Sequence, residues 1–473
     1  MKSVLKSTGL YALGNVLPNL ASFVLLPIYT SYLTTDDYGI VSSLQVFSNV
    51  LLIFLSLAIE RSVPRLYFDY DTVESKKRFL SCVFTFLALS STVIVACIFL
   101  FKNTVQLVYS SIDFDTYFVW AIAGAFFSVF SFVPKVFLRV EERVSQFVTI
   151  SLSQFVLTTI LVLWFVVFMD QGAIGMLKGQ ALAQFISSIF FIGFSIQKFG
   201  IGLHKSILRS TLAFSLPMIP SLLGAWILNL SDRIFLERYL SLSEVGKYSL
   251  GYKLASILVV VSSAFFSAYN PLFYKLAKKN TEEVKRKLKD YNNNYTYILI
   301  FLTFSLAFYS RDVLKIFFRE EYQEAHIIVS IIALAYLISQ VGSLLNLSVY
   351  QERKSLQMMY IQLFGASLNI LLNFILISAY GAVGAAWATV LSFTAIFLIK
   401  YFYAKKTYFI EFEWKKIVPL VLIHFLVFLL FYNIQLELIT GILIKLCISL
   451  ILVLVFYKRA IKNFSATIKS RIR

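Results

Sequence analysis

The sequence predicts an all-α polytopic membrane protein with about fourteen transmembrane helices. Hydrophobic residues make up 59% of the 473 residues and charged residues only 14%, against about 25% charged residues in an ordinary soluble domain. The mean hydropathy is +0.79, and one helix across a bilayer uses roughly 20 apolar residues. The composition therefore excludes a soluble globular domain and a disordered chain.

Apolar runs long enough to cross a bilayer follow one another along the chain. They begin near residues 9, 39, 79, 116, 147, 173, 210, 246, 294, 325, 357, 381, 417 and 438. We number the corresponding predicted spans 1 to 14. The first run follows a basic N-terminus, but Asn15, Pro18 and Asn19 interrupt it and no small-residue cleavage site follows. We therefore expect an uncleaved span there rather than a signal peptide.

The net charge of +18 indicates membrane topology rather than nucleic-acid binding, because cytoplasmic loops collect Lys and Arg. Most of the 43 Lys and Arg residues fall in alternate loops, including the segment 275–290 and the C-terminal tail. This distribution predicts that both termini are cytoplasmic. We interpret the segment 275–290 as a cytoplasmic surface helix near anionic lipid.

An internal repeat divides the chain. YLTTDDYG at 32–39 matches YLSLSEVG at 239–246, and GAIG at 172–175 matches GAVG at 381–384. These matches predict two six-helix lobes in the same orientation, related by an axis along the membrane normal. The predicted organisation has three parts, namely an N-terminal lobe at 1–205, a C-terminal lobe at 206–408, and two additional helices with a basic tail at 409–473.

Prolines concentrate at corresponding positions of the two predicted lobes. Pro18 and Pro27 lie in span 1, and Pro217 and Pro220 lie in span 7. Interrupted helices at matching positions mark the substrate pathway of repeat transporters, although membrane helices also tolerate proline without such a role. We favour the pathway.

The sequence carries no GxSxG, HExxH or P-loop motif, and its three histidines and three cysteines lack metal-binding or disulfide spacing. The predicted outer loops are also short for a membrane glycosyltransferase or ligase. We therefore expect a protein that is not an enzyme and that holds neither a cofactor nor a metal. An H⁺ or Na⁺ coupling ion remains open.

Charged residues in or beside the spans are the candidate binding residues, because charge in lipid is costly and usually functional. They are Glu60, Arg61 and Arg65 at the inner end of span 2, Asp232 and Arg233 near the outer end of span 7, and Lys253 in span 8. We expect a cavity between the two halves with cationic groups at both ends, able to hold an anion. The alternative is that these side chains reach water at the interface.

Further polar residues extend this set. Asn15 and Asn19 share one helix face, as do Gln45 and Asn49, because each pair is spaced i, i+4. Each face either lines a sugar-accepting cavity or joins helices. Three more polar side chains fall within spans, namely Lys178, His424 and Lys445. His424 and Lys445, both near mid-bilayer, could contact each other, a lipid head group or a coupling ion, but we favour a packed, hydrogen-bonded histidine, because a lone histidine in a membrane is more often of that kind.

Three segments carry a family resemblance: LPIYTSYLTTDDYGIVS (26–42), AIERSVPRLYFDY (58–70) and LSDRIFLERYLSLSEVGKYSLGYKLA (230–255). They resemble the polysaccharide-transporter branch of the multidrug/oligosaccharidyl-lipid/polysaccharide (MOP) exporter superfamily, in particular Wzx-type O-antigen and capsule repeat-unit flippases. The family patterns map onto Glu60 with Arg65, Asp232 with Arg233, and Gly246 with Tyr248. In the similar lipid II flippases, two extra helices make a groove for the prenyl tail.

The resemblance implies a flippase that moves undecaprenyl-diphosphate-linked oligosaccharides from the inner to the outer leaflet of the bacterial cytoplasmic membrane by alternating access. The implied partners are this lipid-linked substrate, membrane lipids, a polysaccharide polymerase and a chain-length regulator, without nucleic acid. Two alternatives stay open, namely a drug/cation antiporter of the same superfamily and a non-transporting scaffold of a polysaccharide assembly complex. An antiporter would prefer acidic cavity residues, whereas the charged set here is mainly cationic.

Overall fold

A computed structural model describes residues 2–279, 281–352, 354–432, 434 and 437–457, and every regular element in these ranges is helical. Twelve of its helices are long and apolar enough to cross a membrane. Helices suit these apolar runs because they satisfy every backbone hydrogen bond within the segment, where lipid offers no partner. The prediction of an all-α polytopic membrane protein is confirmed.

The chain divides into two compact units, Met1–Ser249 with Asn369–Ala385, and Leu250–Leu368 with Ala386–Arg473. The helices, in chain order, are α1 (Lys2–Tyr32), α2 (Thr35–Ser56), α3 (Ile59–Leu66), α4 (Val73–Leu100), α5 (Lys102–Val108), α6 (Val119–Val129), α7 (Phe132–Val140), α8 (Val144–Leu163), α9 (Gly172–Phe199), α10 (Lys205–Ser215), α11 (Ile219–Leu230), α12 (Asp232–Tyr239), α13 (Leu242–Ala255), α14 (Ile257–Ala277), α15 (Glu282–Phe317), α16 (Ala325–Gln351), α17 (Ser355–Ala404), α18 (Trp414–Tyr432) and α19 (Leu438–Leu452). The division into lobes at 205 and 408 stays a prediction.

In the first unit, α2 lies at the centre of the helix packing and contacts α4, α6, α9 and α11. Its buried face carries large apolar side chains such as Leu44 and Phe47, which pack in one core with Phe118 and Ile122. The Trp226 indole of α11 donates a hydrogen bond to the Val46 carbonyl at 3.0 Å. These contacts hold α11, and the residues that follow it, against α2.

Local signals fix where α2 begins and ends. Thr34 caps the helix, since its hydroxyl accepts a hydrogen bond from the Asp37 amide at 3.1 Å and Asp37 bonds back to the Thr34 amide. At the other end, Leu57 and Ala58 both adopt left-handed backbone conformations. The chain therefore turns before α3, which carries Glu60, Arg61 and Arg65 outside the span.

The proline prediction is correct for one of the two helices. A short 3-10 turn at Leu216–Met218 separates α10 from α11 beside Pro217 and Pro220. In contrast, α1 continues through Pro18 and Pro27, so the expected interruption of span 1 is wrong. Each proline removes one backbone hydrogen bond, and a long membrane helix can absorb that loss as a bend.

The expected count of fourteen spans is not confirmed, since the twelve candidates found among the described residues do not include α1. In addition, α17 covers two predicted spans in one 50-residue helix, and its backbone leaves helical geometry at Gly381, where φ is +58°. Gly172, which opens the matching GAIG motif, has a φ of +54°. Both motifs thus use glycine where other residues would be strained.

The basic segment 275–290 does not form a separate surface helix. It comprises the end of α14, a short turn and the first residues of α15. The 36 residues of α15 extend about 54 Å at 1.5 Å per residue, which exceeds the ~30 Å hydrocarbon core of a bilayer. Its basic first turns can therefore lie outside the lipid while the same helix continues as a span.

In the second unit, α15 contacts α14, α16, α18 and α19. Phe304 and Phe308 of α15 form a buried cluster with Leu452 of α19, bordered by side chains of α18 such as Phe428. The two C-terminal helices are therefore packed onto α15 rather than attached loosely to the chain.

Candidate functional site: a buried aspartate–arginine–tyrosine cluster

Asp232 and Arg233 lie at the start of α12, where Ser231 separates it from α11. An Asp232 carboxylate oxygen lies 2.7 Å from an Arg233 guanidinium nitrogen, and the two side chains are only 3% and 6% exposed. The fully buried Tyr248 donates its phenol proton to the second carboxylate oxygen. We refer to Asp232, Arg233 and Tyr248 as the cluster.

The arginine of the cluster has further partners. Its guanidinium donates a hydrogen bond to the Asn229 carbonyl at 2.6 Å and lies 5.3 Å from the centre of the Tyr248 ring. Removing two charges from water costs several kcal/mol for each ion, and such a pair is often no more stable than an apolar replacement. A buried pair directly after the candidate span Lys205–Leu230 is therefore better explained by function than by stability.

A close crossing of α2 and α13 positions Tyr248. A Cβ atom on Gly39 would lie 1.9 Å from the Leu242 carbonyl oxygen, and one on Gly246 would lie 2.0 Å from the Thr35 carbonyl oxygen. The Ser243 hydroxyl also donates to the Thr35 hydroxyl at 2.8 Å. Only glycine allows the two backbones to approach so closely, and we call this contact the glycine crossing.

The glycine crossing is reciprocal with respect to the sequence repeat. Gly246 lies 207 residues after Gly39, and Leu242 lies 207 residues after Thr35. Gly39 contacts Leu242 in the second motif, and Gly246 contacts Thr35, the equivalent residue in the first motif. A two-fold axis relating two copies of one motif produces such self-complementary contacts.

The other end of α12 is tied to the loop after α5. The buried Glu237 carboxylate accepts a hydrogen bond from the Ser111 amide at 2.8 Å, and Arg238 donates to the Ser110 hydroxyl at 3.2 Å. Burial, together with the negative charge of Glu237, raises the pKa of Tyr109 in this loop. Both ends of α12 are thus fixed within the first unit.

The two predicted arginines of α3 lie at the surface, whereas the Glu60 side chain is 26% exposed. The Arg61 side chain is 60% exposed and lies 3.8 Å from the Glu60 carboxylate, and the Arg65 side chain is 63% exposed and pairs with Asp69. Exposed ion pairs contribute at most about 1 kcal/mol. These arginines can therefore change partners at little cost, unlike Arg233.

Of the two predicted polar helix faces, the structure describes both residues of the α2 face but only one side chain of the α1 face. The Asn49 amide donates to the Gln45 carbonyl at 2.8 Å, which places these residues on one face of α2, and Gln45 is exposed. Asn19 is exposed on α1, whereas the side chain of Asn15 lies outside the described residues. The shared face of Asn15 and Asn19 stays a prediction.

Lys253 and Lys178 occupy intermediate positions. Lys253 is half-buried in α13 and belongs to the second unit. The Lys178 ammonium donates to the Gln171 side chain at 3.1 Å and lies 5.6 Å from the Trp120 ring. A role of Lys253 or Lys178 in substrate binding stays a prediction.

His424 and Lys445 do not contact each other, and His424 is instead a buried, hydrogen-bonded residue, which is the alternative that the sequence favoured. His424 bonds the Leu420 carbonyl at 2.7 Å and lies 3.2 Å from the Tyr457 hydroxyl. The Lys445 ammonium lies 2.5 Å from the Asp312 carboxylate. An ion pair satisfies a buried ammonium better than an imidazole can.

Sequence reasoning missed a second polar group in the first unit. The Lys135 ammonium of α7 donates to the Gln154 amide oxygen at 2.5 Å, and Gln154 in turn donates to Gln184 at 2.8 Å. Lys135 lies close to the end of an apolar run, where lysine usually reaches water. The sequence does carry one signal for this group, since Gln154 and Gln184 are polar residues within the two following predicted spans.

Family comparison decides the identity of the chain at the level of family. A family model described as polysaccharide biosynthesis protein matches residues 4–277, which is more than half of the chain, and a MatE model matches residues 217–375. The chain belongs to the polysaccharide biosynthesis protein family. The sequence resemblance to the MOP exporter superfamily is thereby confirmed, and the protein is a multi-pass membrane protein of that superfamily.

Individual relatives are distant. A protein of the Lsg locus of Haemophilus influenzae is 26% identical over 58% of this chain and 67% of its own length. The probable low-salt glycan biosynthesis flippase Agl15 of Haloferax volcanii is 24% identical over 44% of each chain. The chain thus aligns with less than half of this second relative.

Solved structures share the fold. The lipid II flippase MurJ in an inward closed conformation superimposes with a TM-score of 0.75 at 15% identity, over 98% of this chain and 100% of that one. An inward-facing multidrug-resistance MATE transporter of the MOP superfamily superimposes with a TM-score of 0.64 at 12% identity, over 83% and 97%. At these identities the likeness establishes the two-lobe fold of the superfamily and nothing finer.

Proposed function

We propose that this protein is a flippase that moves undecaprenyl-diphosphate-linked oligosaccharide repeat units from the inner to the outer leaflet of the bacterial cytoplasmic membrane. The observation that carries the proposal is the buried cluster in a chain of the polysaccharide biosynthesis family. An oligosaccharide cannot cross hydrocarbon unaided, because each unpaired polar group costs several kcal/mol there. Transport by alternating access would replace that hydration while the prenyl tail stays in lipid.

The cluster suggests how the diphosphate is handled. Arginine binds phosphate through two parallel hydrogen bonds, but the guanidinium of Arg233 is engaged by Asp232. A proton or Na⁺ on the carboxylate would weaken this pair and free Arg233 for the anion. We therefore infer that binding of the coupling ion and of the substrate are linked through Asp232.

The membrane potential favours the proposed direction. One elementary charge gains about 2.3 kcal/mol per 100 mV, so a diphosphate with about two negative charges gains roughly 4–5 kcal/mol on moving out of a negative interior. We place both termini in the cytoplasm, and Glu60, Arg61 and Arg65 at the entry side. A polysaccharide polymerase and a chain-length regulator would act on the product outside.

The second candidate is a drug/cation antiporter, which the likeness to MATE transporters favours. It would use Asp232 as a cation site and would have no need for Arg233 beside it. The third is a non-transporting scaffold of a polysaccharide assembly complex. Neither of these candidates requires a lipid-linked substrate.

Deletion of the gene distinguishes these candidates. In the deletion strain we expect surface polysaccharide to be lost and lipid-linked repeat units to accumulate, with drug sensitivity unchanged. Quantitative surface-glycan staining and mass spectrometry of extracted lipid carriers measure both effects. Normal glycan with raised drug sensitivity would contradict the flippase and support the antiporter. Restoration of glycan by an Arg233→Glu variant would instead support the scaffold.

A further inference from the structure

A polar cavity of about 140 Å³ lies in the second unit, between α15, the start of α16 and the two C-terminal helices. Its charged and titratable lining side chains are Arg311, Asp312, Lys315, His326 and Lys445. Asp312 and Lys445 form the ion pair at 2.5 Å, and both are largely buried, at 13% and 12% exposure. The Asp312–Lys445 pair therefore forms a buried charged wall of the cavity, whereas Arg311 is partly buried and Lys315 is exposed.

The cavity carries more positive than negative charge. Lys445 neutralises Asp312, whereas Arg311 and Lys315 have no ion-pair partner among the residues that the structure describes. These two cations are spaced i, i+4 and share a face of α15. The imbalance of two positive charges favours an anionic ligand.

An apolar cavity of about 180 Å³ adjoins the polar one. The two cavities share the lining residues Ala307, Ser330 and Phe428. Away from this boundary the apolar cavity is lined by side chains such as Leu334 and Trp387. Together the cavities offer a cationic compartment next to an apolar one, which matches the shape of an amphiphile with an anionic head.

We propose that these two cavities bind one anionic phospholipid of the bilayer, with its phosphate near Arg311 and Lys315 and an acyl chain beside Trp387. Arginine can hold the phosphate through two hydrogen bonds while lysine supplies a mobile point charge. Exposed apolar side chains on the C-terminal helices, including Leu430 at 67% and Leu443 at 57%, indicate that lipid surrounds the site.

Quenching of Trp387 fluorescence by a brominated lipid tests the site, because bromine on an acyl chain quenches only a nearby indole. The full-length protein is reconstituted into phosphatidylcholine vesicles with increasing dibrominated phosphatidylglycerol, and in parallel with dibrominated phosphatidylcholine. The difference between the wild type and a Trp387→Phe variant isolates the signal of Trp387. We expect phosphatidylglycerol to be preferred at least about fivefold over phosphatidylcholine, because each cation near a head group contributes about 1 kcal/mol.

Variants identify the head-group site. The double variant Arg311→Ala/Lys315→Ala is expected to reduce the preference to about one, and Arg311→Gln/Lys315→Gln provides a milder version if the alanine variant folds poorly. The matched control is Lys102→Ala/Arg319→Ala, which removes two cations that pair with Asp115 and Glu321 outside the cavity. The control should keep the wild-type preference.

Each other outcome contradicts the proposal. An unchanged preference in the Arg311/Lys315 variants would place the lipid elsewhere, and an equal loss in the control would indicate general surface attraction. Competition by millimolar inorganic phosphate would assign the cavity to a free anion. Competition by a polyprenyl phosphate well below the phosphatidylglycerol concentration would assign it to the carrier lipid. The first three results leave the proposed flippase unaffected, because that proposal does not use this site, whereas the fourth would add a carrier-lipid site to it.

Discussion

Asp232 and Arg233 differ from most charged residues of the chain in how completely protein surrounds them. Their side chains are 3% and 6% exposed, whereas the charged pairs of α3 and α4 are mostly exposed. In a low-dielectric site the partner of a charge decides its state, since an uncompensated buried charge costs several kcal/mol. Protonation of Asp232 or removal of Arg233 should therefore change the energy of the cluster more than the same change would at an exposed ion pair.

Replacement of Arg233 should abolish glycan export. Arg233→Ala leaves Asp232 buried without its cation, Arg233→Lys should retain part of the activity, and Arg233→Glu should be worse than alanine because it repels the diphosphate. The measurement is surface-glycan complementation of the deletion strain, with the amount of membrane protein determined alongside. Loss of a buried pair costs about 3–5 kcal/mol, so abundance must be compared.

The control for this series is Arg78→Ala, which removes the exposed partner of Glu74 and should leave export unchanged. We expect Lys253→Ala to reduce export as well, on the basis of its half-buried position in a span. Normal glycan from Arg233→Ala at normal abundance would mean that the cluster is only structural.

At this scale the sequence predicted Asp232 and Arg233 but not their surroundings. The pair was found because charge in or beside a span is usually functional and because a family pattern covers it. Asp312 was missed as the partner of Lys445, since the two lie 133 residues apart and no periodicity links separate helices. Tyr248 was recognised only as part of a motif, because an aromatic residue in a span has no distinctive pattern.

Among the elements, the glycine crossing connects the repeated motifs to the cluster. A single added methyl group at Gly39 would meet a backbone oxygen at 1.9 Å, which a side-chain rotation cannot relieve. The helices α2 and α13 would have to separate, and Tyr248 would move away from Asp232. The crossing thus links element packing directly to the geometry of the site.

Gly39→Ala and Gly246→Ala should each reduce glycan export strongly and expose the crossing. We expect a Ser243→Cys reporter to react several-fold faster with a thiol reagent in either variant than with the glycines intact. Gly193→Ala is the matched control, because a Cβ atom at Gly193 would meet nothing within 4 Å. Unchanged export and labelling in Gly39→Ala would show that the crossing tolerates separation.

Helix positions followed from the sequence more closely than helix interruptions did. Apolar runs of about 20 residues identify spans because a helix of that length satisfies all of its backbone hydrogen bonds in lipid. An interruption depends on what packs beside the proline, so the chain breaks at Pro217, just before Pro220, while α1 continues through Pro27. The turn at Leu57 and Ala58 carries no glycine and therefore left no signal in the sequence.

For the whole molecule, composition determined the fold class and motif order determined the family. The hydropathy of the chain permits only a polytopic membrane protein, and the family model covers residues 4–277. The chemistry of transport depends on contacts between distant residues, such as the reciprocal glycines and the ion pair of Asp312 with Lys445. These contacts cannot be read from local patterns.

Translocation by the purified protein tests the central claim most directly. The protein is reconstituted into vesicles that contain a fluorescent polyprenyl-diphosphate-linked oligosaccharide, and an impermeant glycosidase reports how much of the sugar is accessible outside. We predict protein-dependent translocation that accelerates when the potential is negative on the side from which the substrate leaves, and that Arg233→Ala abolishes. Absence of translocation in vesicles where the same protein exchanges drugs or cations would contradict the account.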